Sequence, residues 1–360
     1  MTSSNPKQPK GTGTPGLTVA VTGPTGEIGI STVDALERDP AVGRIVGMAR
    51  RPFDPASHGW RKTTYQQGDI LDREAVDALV RDADVVVHLA FIVLGTREES
   101  QRVNVAGTRN VFEATVAADR LRSRAAGDIG PRSRAAGDVG HRRLVYTSSV
   151  AAYGYHSDNP IPLTEDTPVR GSAEHYYSEQ KAECEKVLAE TTDGSALEVF
   201  VLRPCIVAGP KATALADAMP WRALPDAVQS VTKAVPLLKP PFPDPGTPLQ
   251  LIHHDDVAAA IALAASTKAP PGIYNIAGDG EVSLSEVATA LGARPVRVPA
   301  ATAKIASAVI ARVPFLPSAT EWLHATRTSV VMDIGKAKSV LGWTPRYTSA
   351  ETLQALATSL

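Results

Sequence analysis

The sequence has few of the features that mark secreted, membrane or nucleic-acid-binding proteins. It contains only two cysteines, Cys184 and Cys205, without metal-site spacing, which favours reduced thiols and a cytoplasmic location. No apolar run approaches the ~20 residues that a membrane-spanning helix needs. Lys and Arg number 37 against 38 Asp and Glu, so no excess of positive charge favours nucleic acid. We therefore expect neither a membrane nor a nucleic acid as partner.

The composition is that of an ordinary globular enzyme. The chain has 360 residues, of which 43% are hydrophobic and 21% are charged. This length can bury a large core and allows a smaller second lobe. Residues 1–16 are rich in Pro, Gly, Ser, Thr and Lys and have no apolar core. They are predicted to be a disordered lead-in and not a signal peptide.

A glycine-rich turn follows the first apolar segment. Residues 17–21 predict a short buried strand, residues 22–29 read Thr-Gly-Pro-Thr-Gly-Glu-Ile-Gly, and a helical pattern continues to Leu36. Glycines let the backbone turn sharply and approach a pyrophosphate, whose charge is stabilised at the helix N-terminus. The order strand, turn, helix favours a nucleotide-binding turn over a merely flexible loop.

Tyr177 and Lys181 are the candidate acid/base pair. Residues four apart lie on one face of a helix, about 6 Å apart along its axis. A nearby cation favours the phenolate, so this pair can form a general acid/base for an alcohol or ketone proton. The same spacing also arises by chance on exposed helices, and the pair gains weight only from the other motifs.

The spacing Gly23, Gly26, Gly29, followed by Tyr177 and Lys181, resembles the short-chain dehydrogenase/reductase superfamily. More narrowly, it resembles the extended branch, the NAD(P)-dependent epimerase/dehydratase family, over residues 17–210, 251–276 and 341–345. The resemblance implies an α/β fold with a doubly wound parallel sheet. Residues 17–210 and 249–278 would form the dinucleotide (Rossmann) domain, and 211–360 a smaller discontinuous substrate lobe.

The resemblance also implies roles for individual residues. Ser149 would bind the substrate oxygen, with Ser148 as the lesser candidate. Tyr177 would pass the proton, and Lys181 would lower the pKa of Tyr177 and hold the nicotinamide ribose. Asp69 would lie beside the adenine of the cofactor; the alternative is that it only caps the N-terminus of a helix. The implied cofactor-binding residues are Thr22, Gly23, Thr25, Gly26, Glu27, Ile28, Gly29, Asp69, Ile70, Leu89, Ala90, Asn104, Tyr177, Lys181 and Cys205.

Two arginines bear on the choice of cofactor. The second predicted strand, residues 44–49, is followed by Arg50 and Arg51. An acidic residue there would bind the ribose 2′-hydroxyl of NAD, whereas an arginine suits the 2′-phosphate of NADP. NADP is therefore the favoured cofactor and NAD the alternative. Two solvated surface arginines are the other interpretation.

Further strands are predicted at residues 64–67, 84–90 and 144–149, and Asn104 is expected to open a long helix. His88 is expected to be a packed histidine and not a ligand. A tandem ten-residue repeat, residues 123–132 and 133–142, has almost no large apolar side chain. We predict an inserted mobile surface loop over 119–142, since two units are too few for a solenoid. A basic interaction loop is the other reading.

The C-terminal part is less regular. Residues 211–248 are rich in Pro, Ala and Leu and show no clear strand. Residues 251–257 are expected to return to the core and begin an alanine-rich helix capped by Asp255 or Asp256. The adjacent His and Asp side chains should point different ways, so no metal site is expected. Residues 300–311 predict an apolar helix over the pocket.

Ile206 bears on the substrate. In the resembled family, members that bind nucleotide sugars usually carry asparagine there, and the Arg-Pro-x-x-x-x-Gly-Pro pattern of residues 203–210 looks like dihydroflavonol reductases and 3β-hydroxysteroid dehydrogenases. We expect an NAD(P)-dependent oxidoreductase acting on a small or hydrophobic carbonyl or alcohol. A nucleotide-sugar epimerase/dehydratase and a non-catalytic NADP-binding sensor are the rivals. A small-molecule substrate is the expected partner, and a homodimer stays open.

Overall fold

The computed structural model describes residues 16–93, 95–128, 142–217, 219, 239–244, 246–297 and 328–360. Its centre is a seven-stranded sheet with the order β11-β6-β5-β4-β1-β2-β3, in which every neighbouring pair is parallel. This confirms the doubly wound α/β class. The strands are β1 (Leu17–Thr22), β2 (Val42–Ala49), β3 (Thr63–Gln67), β4 (Val85–His88), β5 (Arg143–Thr147), β6 (Glu198–Pro204) and β11 (Gly272–Ile276).

Helices cover both faces of this sheet. Two helices, α1 and α7, contact each other on one face, and α2, α4 and α5 cover the other. The long α4 continues from α3 through a π-helical turn, Arg102–Gly107. The helices are α1 (Glu27–Arg38), α2 (Arg73–Val80), α3 (Arg97–Gln101), α4 (Thr108–Asp128), α5 (Tyr176–Thr192), α6 (Ala214–Asp217), α7 (His254–Ser266), α8 (Leu284–Ala290) and α9 (Ser349–Thr358).

Strand β4 shows why the sheet strands are apolar without a break. Val85 and Val87 join the core cluster under α1 and α7, whereas Val86 joins the cluster on the opposite face. All three are at most 1% exposed. A parallel sheet covered on both faces requires apolar side chains at every position, because neither face meets water.

A third apolar cluster lies beside the sheet, among segments from the second half of the chain. Leu215 of α6, Leu251, Val287 of α8 and Leu356 of α9 are buried there. Three two-stranded pairs accompany it: β7 with β10, β9 with β12, and β8 with β13. These strands are β7 (Ile206–Ala208), β8 (Pro241–Asp244), β9 (Pro248–Leu249), β10 (Leu251–His253), β12 (Val282–Ser283) and β13 (Arg294–Arg297).

Asp256 ties the C-terminal segment to this region. It is fully buried, and its carboxylate oxygens accept hydrogen bonds from the backbone N–H groups of Arg346 and Tyr347, both at 3.0 Å. Asp256 is therefore not the cap of α7. The cap is His253, whose side chain accepts from the Asp255 N–H at 3.2 Å, so the prediction of an aspartate cap is wrong.

Several predicted boundaries need correction. Strand β4 ends at His88, so residues 89–90 lie in the following turn, and β5 ends at Thr147, which leaves Ser148 and Ser149 beyond the strand. The predicted loop over 119–142 begins too early, because α4 continues to Asp128; Asp119 lies within this helix and accepts from the Arg142 N–H.

Other corrections concern the C-terminal part. The stretch 211–248 does contain strands, β8 and β9, and a short helix, α6. The rest of the repeat, the lead-in before residue 16 and the predicted helix at 300–311 lie outside the described residues. Within the described residues, no helix is long and apolar enough to span a bilayer.

Candidate active site

The site lies where the strand order reverses. Strands β1 and β4 are neighbours in the sheet, and the chain leaves them toward helices on opposite faces. Gly23 follows β1 and Leu89 follows β4, so the two turns form a crevice at the carboxyl ends of the strands. Such a switch point is where open α/β sheets bind their ligands.

Two glycines of the turn, Gly23 and Gly29, are packed too closely for a side chain. Gly23 has a φ of +72°, and a Cβ there would lie 2.9 Å from the Ala90 nitrogen. At Gly29 a Cβ would lie 2.1 Å from the Gly23 carbonyl oxygen. Helix α1 begins after Gly26, which has no side chain to cap the helix. The first N–H groups of α1 therefore face the crevice without a side-chain acceptor. This arrangement fits a pyrophosphate, as the spacing of the glycines predicts.

A cavity of about 400 Å³ extends from this turn to the catalytic candidates. Its wall includes many of the predicted residues, together with apolar side chains that the motifs do not identify. The predicted residues in the wall are Gly23, Gly26, Glu27, Ile28, Gly29, Leu89, Ser148, Ser149, Tyr177, Lys181 and Cys205.

Helix α5 brings the tyrosine and lysine to this cavity. His175 caps the helix by accepting from the Ser178 N–H at 3.3 Å, which fixes where the helix begins. Lys181 Nζ donates to the Thr147 carbonyl at 2.9 Å, at the end of β5. Ser149 follows that strand; its hydroxyl accepts from the Ala151 N–H at 3.2 Å and acts to lower the pKa of Tyr177. The structure thus brings together the three predicted catalytic side chains.

Burial dominates the electrostatics of the pair. The pKa of Tyr177 is raised above its ordinary value, mainly because burial disfavours the phenolate; the Ser149 hydroxyl acts in the opposite direction. Burial also lowers the pKa of Lys181 to about 8. Burial thus dominates the pKa of Tyr177, and its lowering by Lys181 stays a prediction.

Ser148 and Ser149 have different partners. Ser148 Oγ donates to Glu185 at 2.5 Å. Glu185 in turn receives two hydrogen bonds from Arg203, at 2.9 and 2.6 Å, and Arg203 is 2% exposed. The Ser148 hydroxyl is thus bound into a buried ion pair beneath the site. Ser149 lines the cavity together with Tyr177, and its role as the substrate-binding serine stays a prediction.

Thr22 and His88 form a buried hydrogen-bond network next to the cavity. Thr22 Oγ1 accepts from the N–H groups of Leu89 and Ala90 at 3.2 and 3.3 Å and is hydrogen-bonded to His88 Nδ1 at 2.7 Å. His88 Nε2 lies 2.9 Å from Thr108 Oγ1. Burial lowers the pKa of His88 to about 3, so it is neutral at pH 7. This confirms His88 as a packed histidine and places Thr22 outside the cavity wall.

Asn104 does not open a helix. It lies in the π-helical turn between α3 and α4, fully buried. Its Oδ1 accepts from the Ile92 N–H at 2.7 Å, and its Nδ2 donates to the Ile92 carbonyl at 2.9 Å and to Gln180 Oε1 at 2.8 Å. Asn104 therefore connects the turn after β4 to the catalytic helix and does not line the cavity. π-Turns of this kind are frequent at functional sites.

Comparison with known proteins identifies the family. The model of the NAD-dependent epimerase/dehydratase family matches residues 19–277. This chain belongs to that family. The seven-stranded parallel sheet and the crevice at its carboxyl end agree with the match.

Individual relatives are distant. The low-salt glycan biosynthesis protein Agl12 of Haloferax volcanii is 26% identical over 299 residues, which cover 81% of this chain and 80% of that protein. MoeE5 in complex with UDP-glucuronic acid and NAD has a TM-score of 0.65 at 22% identity, covering 96% and 98% of the two chains. The dTDP-glucose 4,6-dehydratase of Bacillus anthracis, with NAD, has a TM-score of 0.63 at 18% identity over 95% and 96%.

The residues predicted to bind the adenosine part of the cofactor lie apart from the cavity. Arg50 and Arg51 follow β2 and are exposed. Asp69 Oδ1 accepts from the Leu71 N–H at 3.0 Å, and Ile70 is 5% exposed. The cap of α2 is Asp72, so the alternative of a plain helix cap for Asp69 is wrong. These residues, with Thr25 and Ala90, lie outside the wall of the cavity.

The motifs missed most of the apolar wall. Phe91, Val93, Tyr155, His175 and Leu215 all line the cavity, and none belongs to a motif. Phe91 follows the predicted Leu89–Ala90 turn directly, which is the one sequence signal that could have pointed to it. The others come from separate segments, so only the tertiary fold brings them together.

Glu27 contributes an unexpected contact. Its carboxylate lies near the backbone N–H groups of Thr213 and Ala214, next to α6, which act to lower its pKa. The pKa of Glu27 is raised, chiefly by burial, and nearby Asp217 acts in the same direction. A carboxylate thus lies at the helix N-terminus where the pyrophosphate would bind, which connects the glycine turn to the segment that follows β7.

His253, His254 and Asp255 come closer than expected. Their ligand-type atoms lie within 4.8 Å of one another because the chain turns from β10 into α7 at this point. The expectation that these side chains diverge is wrong. The Nδ1 atoms of His254 and His253 lie 3.0 and 3.8 Å from the carboxylate oxygens of Asp255.

Proposed function

We propose that this protein is an NAD(P)-dependent oxidoreductase that interconverts an alcohol and a carbonyl compound. The observation that carries the proposal is the convergence of Ser149, Tyr177 and Lys181 on one cavity that also contains the glycine turn. Binding a dinucleotide requires the turn, but it does not require a phenol, a serine hydroxyl and an ammonium at the far end of the cavity. This convergence disfavours a sensor that binds NADP without turnover.

Each of the three catalytic candidates has a separate role in this reaction. The cofactor, when bound, supplies or accepts a hydride at the nicotinamide C4. Ser149 Oγ holds the substrate oxygen, and in the oxidation direction Tyr177, as the phenolate, takes the alcohol proton while the C–H hydride leaves. The Lys181 ammonium stabilises the phenolate, and its hydrogen bond to the Thr147 carbonyl fixes its position. In the reduction direction the same phenol returns the proton to the oxygen.

The cavity wall favours a small or hydrophobic substrate. Among the described residues that line it, Lys181 is the only Lys or Arg, and the side chains of Leu89, Val150, Ile206 and Leu215 make much of the wall apolar. Burial of the two phosphate charges of a nucleotide sugar requires cations or several hydrogen-bond donors. Arg294 and Arg297 are exposed on β13 and are absent from the wall.

We further propose a preference for NADP over NAD. Arg50 and Arg51 follow β2, beside the place where the adenosine ribose of a Rossmann cofactor binds, and both are exposed and able to reach a 2′-phosphate. The solved structures reported above contain NAD, so NAD is the alternative.

The second candidate is a nucleotide-sugar epimerase or dehydratase that uses NAD transiently. It is supported by the family match and by the sugar-nucleotide ligand in the MoeE5 structure. In this cycle the hydride returns to the same substrate, so NAD would stay bound. An oxidoreductase would instead exchange its cofactor at every turnover.

A two-part experiment separates these candidates. The cofactor that co-purifies is released and identified, and thermal shifts are then measured with UDP- and dTDP-sugars and with hydrophobic ketones in the presence of NADP. We expect exchangeable NADP, stabilisation by ketones and loss of absorbance at 340 nm with NADPH. Tightly held NAD with stabilisation by a sugar nucleotide alone would replace this proposal with the epimerase/dehydratase.

A further inference from the structure

Phe91 lies directly on the candidate catalytic pair. Its ring centroid is 3.6 Å from Lys181 Nζ, and its ring meets that of Tyr177 edge-on at 5.5 Å and 84°. The ammonium is 5.9 Å from the Tyr177 centroid and 5.3 Å from that of Tyr146. Aromatic faces thus surround the ammonium, and the nearest of them is Phe91.

The ammonium has little else to stabilise its charge. Its protein acceptor is the Thr147 carbonyl, and no described carboxylate forms a salt bridge with it. The nearby carboxylate of Glu185 is already paired with Arg203. A cation over an aromatic face within about 6 Å is attracted by the ring's quadrupole, and most strongly when the cation is desolvated. Lys181 is 3% exposed, so the condition holds.

The position of Phe91 is fixed by buried hydrogen bonds. The next residue, Ile92, has both its N–H and its C=O bound by the Asn104 side chain, at 2.7 and 2.9 Å. Asn104 also donates to Gln180, the neighbour of Lys181 on α5, and Gln180 donates to Ser100 Oγ at 3.0 Å. The segment that carries Phe91 is therefore tied to the helix that carries the ammonium.

We propose that Phe91 is a positioning residue for the acid/base pair, which holds the Lys181 ammonium through its ring face and keeps it protonated at neutral pH. This inference rests on the proposed oxidoreductase function, in which the charge of Lys181 serves the Tyr177 phenolate. Other groups also act on the charge of Lys181. These are Tyr177, Cys184 and Glu185 on α5, Tyr146 on β5 and His88 on β4.

The direct test is a pH titration of Lys181 in the protein without substrate. NMR of lysine labelled with ¹³C at Cε monitors the titration, and the signal of Lys181 is assigned as the one missing in Lys181→Arg. Phe91→Leu keeps an apolar side chain but removes the ring, and the pKa of Lys181 should fall by about one. Phe91→Trp keeps a ring face and should restore the pKa. Phe53→Leu makes the same change in an aromatic cluster away from the site and should leave it unchanged.

A second variant guards against altered packing. Trifluorinated phenylalanine at position 91 keeps the shape of the side chain and removes most of the negative potential on its face. It should lower the pKa of Lys181 as Phe91→Leu does. An unchanged pKa in both variants would overturn the proposal.

The pH profile of turnover connects this effect to catalysis. In Phe91→Leu the alkaline fall of kcat/KM for alcohol oxidation should move to lower pH by about one pH unit, and in Phe91→Trp it should not. A uniform loss of rate with an unmoved profile would show that Phe91 only packs, and would contradict the proposal. If no alcohol or ketone is turned over by the wild type, the proposed function fails, while the NMR titration still decides the role of Phe91.

Discussion

Replacing Lys181 by methionine should make the folded protein more stable at neutral pH. Burial lowers the pKa of Lys181 from 10.5 to about 8. This difference corresponds to about 3 kcal/mol of unfavourable burial of the charge. Methionine has a similar straight chain and no charge, but it leaves the Thr147 carbonyl without its donor, at a cost of about 1 kcal/mol. Lys181→Met should therefore gain about 2 kcal/mol at pH 7.

The pH dependence follows from the sign of the change. Below pH 8 the folded and unfolded states both carry the charged lysine, so the cost of burial is fully present. Between pH 8 and 10.5 the folded state has lost the proton that the unfolded state still binds, so the wild type becomes more stable as the pH rises. The advantage of Lys181→Met should accordingly shrink across this range.

Urea unfolding at pH 7 and at pH 9.5 measures both effects. Lys186→Met, on the exposed side of the same helix, is the matched control and should change the free energy of unfolding by less than about 0.5 kcal/mol. If Lys181→Met is less stable than the wild type at pH 7, or if its difference from the wild type does not change with pH, the reasoning about the buried charge is refuted.

Three further substitutions test other parts of the site. Arg50→Asp should lower the affinity for NADP relative to NAD by about 10- to 100-fold through loss of a charge-assisted hydrogen bond, and an unchanged ratio of dissociation constants would make Arg50 plain surface charge. Ser149→Ala should lower kcat/KM by about 100-fold or more with the cofactor still bound, whereas a loss confined to stability would remove its role. Glu185→Leu leaves the buried charge of Arg203 without its carboxylate partner and should lower the free energy of unfolding in urea by about 3–5 kcal/mol. Adding Arg203→Met should restore part of this loss, and equal stability of the single and double variants would contradict the reasoning.

The sequence predicts best what depends on local spacing. Gly23 and Gly29 are required by close backbone contacts within one turn and the neighbouring turn, and Tyr177 and Lys181 share a face simply because they are four apart on a helix. The unbroken apolar run of β4 likewise reflects burial on both faces. These features need no knowledge of distant parts of the chain.

The sequence predicts poorly what depends on long-range contacts. Asn104 was expected to open a helix, but its hydrogen bonds to Ile92 and Gln180 place it inside a π-helical turn. Phe91 lies on Lys181 only because that network fixes the turn. The raised pKa of Tyr177 depends on how deeply the assembled fold buries it, which the Tyr/Lys spacing does not reveal.

The central claim, hydride transfer with Tyr177 as the acid/base, is tested most directly with a cofactor deuterated at the nicotinamide C4. The label must be on the reduced cofactor, and its transfer to the carbonyl carbon of a ketone, which gives a deuterated alcohol, is measured for the wild type and for Tyr177→Phe, together with the cofactor dissociation constant. We predict that the wild type transfers the label and that Tyr177→Phe transfers it about 10²- to 10⁴-fold more slowly, with cofactor affinity within a few-fold. Label transfer by Tyr177→Phe at a rate close to that of the wild type would contradict the account.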